Sequence, residues 1–182
     1  MSFKLGTVDG KAVLIKDDHY FDVASLSDGA ISSDSVEALK FQTELSELYE
    51  TLSENNATGN LSEVELGNPV PKSPNCYAVG LNYRKHAEES GMDIPEVPMI
   101  FTKHTSCFVG PKANVEMRSD YVDWEVELVA VIGKEGKNIP KEIALEHVAG
   151  LCVGQDISDR PAQFATTPAM FNLGKSFDTY GP

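Results

Sequence analysis

Two glutamates one residue apart, Glu125 and Glu127, stand inside the run "DYVDWEVELVAVIGKEGKNIP" at 120–140. Its apolar alternation predicts a strand, in which residues i and i+2 point to one face. Val129 and Val131 continue the glutamate face, while Val126, Leu128, Ala130 and Ile132 line the other. The later half of the strand therefore reads as buried on both sides. An ionised carboxylate at such a place needs a partner, because an unpaired buried charge is very unfavourable. Water at a sheet edge, basic side chains or a metal ion would each serve, and a bare Glu-x-Glu is more often a solvated edge. A second apolar run, "LCVGQD", ends in Asp156. Carboxylates at strand ends suit a hard, oxygen-preferring cation, and no His or Cys cluster points to a softer one. Mg²⁺ is the expected ion, with Mn²⁺ or Ca²⁺ as alternatives.

Other residues carry weaker signals. His86 and Glu89, three apart in "YRKHAEESG", share one face of a short helix. A carboxylate so placed could orient the imidazole as general base for a water; the plainer reading is a charged, exposed helix face. Lys103 ends the apolar run "MIFTK", and Lys175 follows a glycine in "NLGKSFDTYGP". Either could neutralise an oxyanion, or simply be solvated. Arg160 and Gln163 follow Asp156 by four and seven residues; they could clamp a substrate carboxylate or form loop surface. His19, His104 and His147 have no partner at a meaningful spacing.

Composition narrows the classes of function. At 182 residues, 41% hydrophobic and 24% charged, the chain reads as one globular domain or a domain with a small appendage. No apolar run approaches the roughly 18 residues of a membrane span, and the opening "MSFKLGTVDGK" shows no secretory apolar region. Cys76, Cys107 and Cys152 are odd in number and far apart. They suggest neither a disulfide framework nor a zinc site, and a reducing cytoplasm is expected. A formal charge of −13 argues against nucleic acid or an anionic membrane as partner. The first 72 residues hold five lysines against 13 acids, and all three arginines (Arg84, Arg118, Arg160) come later. Positive charge for a small anion lies in the second part.

The elements that must position these residues follow from pattern. "FKLGTVDGKAVLI" reads as a hairpin around Asp9-Gly10, and "HYFDVASL" as a third strand. From Asp34 to Asn55, Val36, Leu39, Leu45, Leu48, Tyr49 and Leu52 recur at helical spacing, with Asp34 and Glu37 compatible with a capping box. "GNPVPKSPN" at 67–75 reads as a linker. Beyond it come a buried strand "CYAVGLNY", a short helix closed by Gly91, and the strand "MIFTK". "VEMRSDYVDWEVELVAVIG" reads as a strand pair, "PKEIALEHVAG" as a helix and "LCVGQD" as a strand. "ISDRPAQFATTP" reads as a loop with a helical turn. Strands dominate without regular alternation with helices, which predicts an α+β, mainly β chain.

In this order, "YAVGLNYRKHAEE", "PMIFTK", "VDWEVELVAVIGK", "VGQDISDR" and "GKSFDTYGP" resemble the fumarylacetoacetate hydrolase family across about residues 74–182. The resemblance implies a mixed β-roll or sandwich with short helices over 71–182, preceded by a small α+β region at 1–70. It implies a metal held by Glu125, Glu127 and Asp156, and water activated by His86 with Glu89. It gives Lys175 a catalytic role and assigns substrate binding to Arg160 and Gln163; Lys103, from its place at a strand end, is expected to join them in binding substrate. The implied activity is metal-dependent hydrolysis of a C–C bond in a small 2-oxo or 1,3-dioxo acid. Isomerisation, tautomerisation or decarboxylation of a related oxo-acid in aromatic catabolism is the alternative. A homodimer is implied for the full-length form. Members commonly read Ala-Arg-Asp where this chain has Asp159-Arg160-Pro161, and their core continues past the point where this chain ends. Residues 71–182 are thus expected to hold only the N-terminal part of that domain, with an inactive or assembly-dependent fragment as the third reading.

Overall fold

The computed structural model describes residues 2–71 and 73–182. Leu5–Val8 (β1) and Lys11–Lys16 (β2) form a hairpin in the register Val8↔Lys11. Its two turn residues, Asp9 and Gly10, both have positive φ (49° and 74°), the geometry whose twist matches the flanking strands. His19–Asp22 (β3) pairs with β2, while Gly59–Asn60 (β4) and Leu66–Gly67 (β5) complete an antiparallel sheet of order β4-β3-β2-β1-β5. The run "HYFDVASL", expected as strand throughout, is strand only to Asp22. There the Asp22 carboxylate accepts from Ser25 N (2.7 Å) and starts the one-turn helix Val23–Leu26 (α1).

The amphipathic run after Asp34 also departs from expectation. Asp34 caps Ser35–Ala38 (α2) by accepting from the backbone of Val36 and Glu37, a cap worth about 1 kcal/mol. The helix does not then run unbroken to Asn55. A 3-10 turn at Leu39–Phe41 interrupts it before Gln42–Glu50 (α3), and a separate 3-10 turn covers Glu54–Asn56. Phe41 leaves helical geometry at φ −111°, ψ 44°, and segments on both sides of the break still bury residues in one core. Ala38, Leu45 and Leu52 pack there with Leu14, Phe21 and Val23, each large apolar side chain contributing roughly 1.5–3 kcal/mol. Packing thus overrides the uniform 3.6-residue pattern. The proline-rich 67–75 starts inside β5, and Thr7 Oγ1 donates to Asn68 O (3.0 Å). Lys72, in the middle of that expected linker, lies outside the described residues.

The second region is built from strand pairs. Cys76–Gly80 (β6) pairs antiparallel with Met99–Lys103 (β7), and Arg84–Ser90 (α4) lies between them, stopped by Gly91 at φ 64°. Val122–Asp123 (β8), Val126–Ile132 (β9), Val148–Gln155 (β10) and Ser158–Asp159 (β11) follow. The expected strand pair over 115–133 is corrected: β9 pairs with β10, and β8 with β11. "PKEIALEHVAG" is a 3-10 segment, Lys141–His147, that gives way to β10 at Val148. Arg160–Gln163 (α5) and Phe171–Gly174 (α6) complete the chain. A smaller core gathers Cys107, Ile157 and Tyr180 with Phe108, Val115, Val122 and Phe177.

One expectation about β9 is overturned. Glu127, Val129 and Val131 face inward, but Leu128 is 64% and its register partner Val153 74% exposed. Ile132 and Leu151 are equally open, and so is Tyr77 on β6, which was expected to be a buried strand. Among the described residues, nothing covers this apolar face. The fold is α+β, mostly antiparallel sheet with short helices. No helix among the described residues is long and apolar enough to cross a membrane.

Candidate functional site

Strand ends place the ionisable residues. β9 begins just after Glu125, and Asp156 follows β10, whose pairing with β9 sets Gly154 opposite Glu127. Asp156 N donates to Glu125 O (2.8 Å), which locks the two carboxylate-bearing residues side by side. α6 brings Lys175 to them. Its last residue, Gly174, lies so close to the Gln163 backbone that a Cβ there would meet Gln163 N at 2.6 Å. Only glycine permits that approach of α6 to α5.

Lys175 is almost fully buried and spends all three of its N–H donors inside the chain. Nζ lies 2.8 Å from Glu125 Oε2, 2.8 Å from Asp156 Oδ2 and 2.8 Å from Ser158 Oγ. Ser158, fully buried, passes its own proton to Asp156 O (2.9 Å). Lys103 does the same on the other side of Asp156. Its Nζ donates to Asp156 Oδ1 (2.8 Å), to Tyr180 O (3.0 Å) and to Lys175 O. With every donor engaged, Lys103 anchors Asp156 and the Lys175–Tyr180 segment, and it has none left for a substrate as placed.

Arg160 stands on the solvent side. Its guanidinium meets Asp123 Oδ2 (2.6 Å), Glu125 Oε1 (2.8 Å) and Gln163 Oε1 (2.9 Å). The hydrogen bond from Arg160 holds the Asp123 carboxyl below the usual carboxylate range. Pro161 does no damage here: it occupies the first turn of α5, where an N–H is not needed, and Asp159 caps that turn by accepting from Ala162 N (2.9 Å).

Glu127 differs from its neighbours. No ion pair reaches it among the described residues, and burial pushes its carboxyl up. A hydrogen bond from Tyr83 opposes that shift, while Asp156 and Glu125 reinforce it. Lys103, Lys175 and Arg160 thus match Asp156, Glu125 and Asp123, and Glu127 remains as an unmatched anionic oxygen donor. This all-carboxylate set suits a hard cation. As placed, no three His, Cys, Asp or Glu side chains among the described residues are gathered to hold a metal ion. The Lys175 ammonium bridges Glu125 and Asp156 instead.

His86 is half-buried and Glu89 exposed on α4, and no hydrogen bond joins them among the described residues. The sequence reading missed Asp123, Ser158 and Tyr83. Asp123 and Tyr83 flank motifs already singled out, whereas nothing local marks Ser158. A cleft lies elsewhere, between α3 and the β9–β10 pair, with Gln42, Glu47, Val131 and Cys152 in its lining. The buried lysine–carboxylate cluster is the chemically distinctive site.

Residues 75–182 match the family model described as fumarylacetoacetate (FAA) hydrolase, C-terminal. The chain belongs to the fumarylacetoacetate hydrolase family. It is 45% identical over 106 residues to a fumarylacetoacetate hydrolase domain-containing protein 2 homolog of Dictyostelium discoideum, covering 57% of this chain and 35% of that protein. It is 43% identical over 123 residues to an oxaloacetate tautomerase of Homo sapiens, named as mitochondrial, covering 66% of this chain and 39% of the relative. A solved structure described as an HpcE protein from Mycobacterium smegmatis superposes with a TM-score of 0.85 at 39% identity, covering 98% of this chain and 63% of that one. The chain therefore spans well under half the length of the curated relatives it matches.

Proposed function

We propose that this family member acts on a small 2-oxo or 1,3-dioxo acid with a divalent cation, Mg²⁺ or Mn²⁺, held by Glu125, Glu127 and Asp156. One observation carries the reading: a buried ammonium, Lys175, lies between two of those carboxylates while the third has no counter-charge. When bound, such a cation polarises carbonyl and carboxylate oxygens as a Lewis acid.

The residues of the chain do the rest. Arg160 and Gln163 receive the substrate carboxylate, Arg160 by exchanging its contact with Asp123 or Glu125. Lys175 exchanges one of its three acceptors for the oxygen on which negative charge develops. His86, oriented by Glu89, takes a proton from water, and the hydroxide adds to the distal carbonyl carbon. The C–C bond then breaks, its electron pair goes to the departing enolate carbon, and the imidazolium returns the proton there. Lys103 and Ser158 hold Asp156 and Lys175 in place throughout. We place this enzyme in the cytoplasm on its three free cysteines, and by family resemblance as a homodimer in its full-length form.

A second reading, tautomerisation of an oxo-acid such as oxaloacetate, is favoured by the 43% identity to an oxaloacetate tautomerase and by the absence of a bond between His86 and Glu89 among the described residues. It needs proton transfer but no attacking water. Acylpyruvates, oxaloacetate and hydroxymuconate analogues assayed with Mg²⁺ or Mn²⁺ separate the two. Release of two acids supports hydrolysis; keto–enol interconversion without cleavage supports the second reading. Turnover of none of these compounds by the chain or by a full-length version overturns both.

A further inference from the structure

We infer that Asp123 is a resident competitor that holds the substrate carboxylate's place on Arg160 until an acid displaces it. The inference rests on the reading of Arg160 as the group that receives that carboxylate. Nε and Nη2 of Arg160 lie 3.2 and 2.6 Å from Asp123 Oδ2. Nη2 also lies 2.8 Å from Glu125 Oε1, and Nη1 donates to Gln163 Oε1 at 2.9 Å. These four contacts leave one of the five N–H groups of a guanidinium without an acceptor among the described residues. A single N–H cannot grip a carboxylate with the two parallel bonds that suit arginine to it. An incoming acid therefore has to win an edge that a protein oxygen already holds.

Asp123 is the partner able to yield. Its side chain is 50% exposed against 17% for Glu125, and Glu125 is also held by Lys175 Nζ at 2.8 Å. Asp123 lies on the two-residue strand β8, opposite Ser158 in register. Its Oδ1 accepts from Trp124 N at 2.9 Å, so both carboxylate oxygens are engaged and the side chain is fixed in place. When it turns out to solvent, Glu125 and Gln163 still hold the guanidinium, and Arg160 N still donates to Tyr121 O (3.2 Å). Asp123 is thus not needed to aim Arg160. It keeps the Nε–Nη2 edge paired with an anion while the site is empty, because an unpaired charge withdrawn from water is unfavourable. A substrate carboxylate exchanges one such pair for another, and the return of Asp123 helps the product acid to leave.

The test titrates the whole chain with pyruvate, a small 2-oxo acid, in the presence of Mg²⁺, and follows the pyruvate methyl proton signal. Asp123→Asn, which removes the charge and keeps the shape, should bind pyruvate about threefold to fivefold more tightly than wild type, the upper range for a partly exposed ion pair. Arg160→Met should bind it more weakly than wild type, and adding Asp123→Asn to Arg160→Met should bring no gain. A residue that merely aims Arg160 predicts the opposite sign. Weaker or unchanged binding by Asp123→Asn therefore overturns the inference, as does a gain that persists without Arg160, which is general electrostatics. Arg160→Met binding as tightly as wild type overturns the reading of Arg160 and the inference with it. If wild type shows no binding, binding by Asp123→Asn supports the inference and its absence sinks it. Melting curves show whether the variant is folded. Should it not be, Asp123→Ser, which keeps an oxygen for Trp124 N, is read in its place; failure of both to fold makes Asp123 structural and overturns the inference.

Discussion

Lys175 Nζ and Asp156 Oδ2 lie 2.8 Å apart with both side chains almost wholly out of solvent, and the same ammonium reaches Glu125 Oε2 at 2.8 Å. A divalent cation entering between those carboxylates has to compete with it. Lys175→Met, close to isosteric, removes the competitor and one repelling charge. We expect Mn²⁺ affinity measured by calorimetry to rise about tenfold or more, while oxo-acid turnover falls. A pair in like geometry near a protein surface interacts by a few kcal/mol at an effective dielectric of about 20, which leaves ample room for that change. Unchanged or weakened Mn²⁺ binding would mean that Lys175 does not occupy the cation position.

Glu127 and Asp123 should give opposite pH responses. Burial raises the Glu127 carboxyl above its unfolded value, so the native state binds this proton more tightly than the unfolded chain. Stability then falls as pH rises from the ordinary glutamate range through the raised folded value. Without divalent cation, Glu127→Gln should melt higher than wild type at neutral pH, with the difference closing as pH drops below the ordinary range. Asp123, lowered by the Arg160 hydrogen bond, stabilises above its unfolded value and loses that contribution as pH falls through the lowered one. Asp123→Asn should therefore melt lower than wild type at neutral pH and converge with it in acid. Melting curves across pH test both signs.

His86→Ala should lower kcat for C–C hydrolysis by about 10²–10⁴-fold, the usual worth of a positioned general base. Glu89→Gln should do less harm, and neither change should shift Mn²⁺ affinity by more than about twofold, since neither residue is a ligand in this scheme. Tautomerase activity, needing no attacking water, should tolerate both better. Steady-state kinetics on an acylpyruvate and on oxaloacetate separate these outcomes, and wild-type hydrolysis by His86→Ala would remove the residue from the mechanism.

The open face of β9 and β10 predicts self-association. Leu128 and Val153 oppose each other in register at 64% and 74% exposure, beside exposed Ile132 and Leu151. Contiguous apolar surface of this kind marks an interaction or aggregation site. Sedimentation should show oligomers or larger species for the chain. The double variant Leu128→Lys with Val153→Glu should shift it toward monomer without changing Mn²⁺ binding. A wild-type chain that sediments as a monomer at high concentration would contradict this.

Local chemistry was legible where a short stretch settles its own conformation. The Asp9-Gly10 turn, the cap at Asp34, the stop at Gly91 and the strand ending in Lys103 depend on residues a few positions apart, and so can be read from the sequence by itself. The ordered motifs likewise picked out Glu125, Asp156, Lys175 and Arg160, which the fold brings into one ion-paired cluster. The sequence did not tell which strand β9 pairs with, nor that one face of it stays open, because alternation reports a two-faced strand without saying what covers each face. The break at Leu39–Phe41 arose from packing against a core that helical periodicity alone does not describe. Local sequence marks Lys103 only as the end of an apolar strand, whereas its three acceptors come from Asp156, Lys175 and Tyr180, 53 to 77 residues away. Ser158 and Tyr83 owe their roles to similar long-range meetings, with Lys175 and with Leu128. A buried ammonium or hydroxyl takes its function from whichever groups are brought within about 3 Å of it, and chain topology, rather than local sequence, decides which those are.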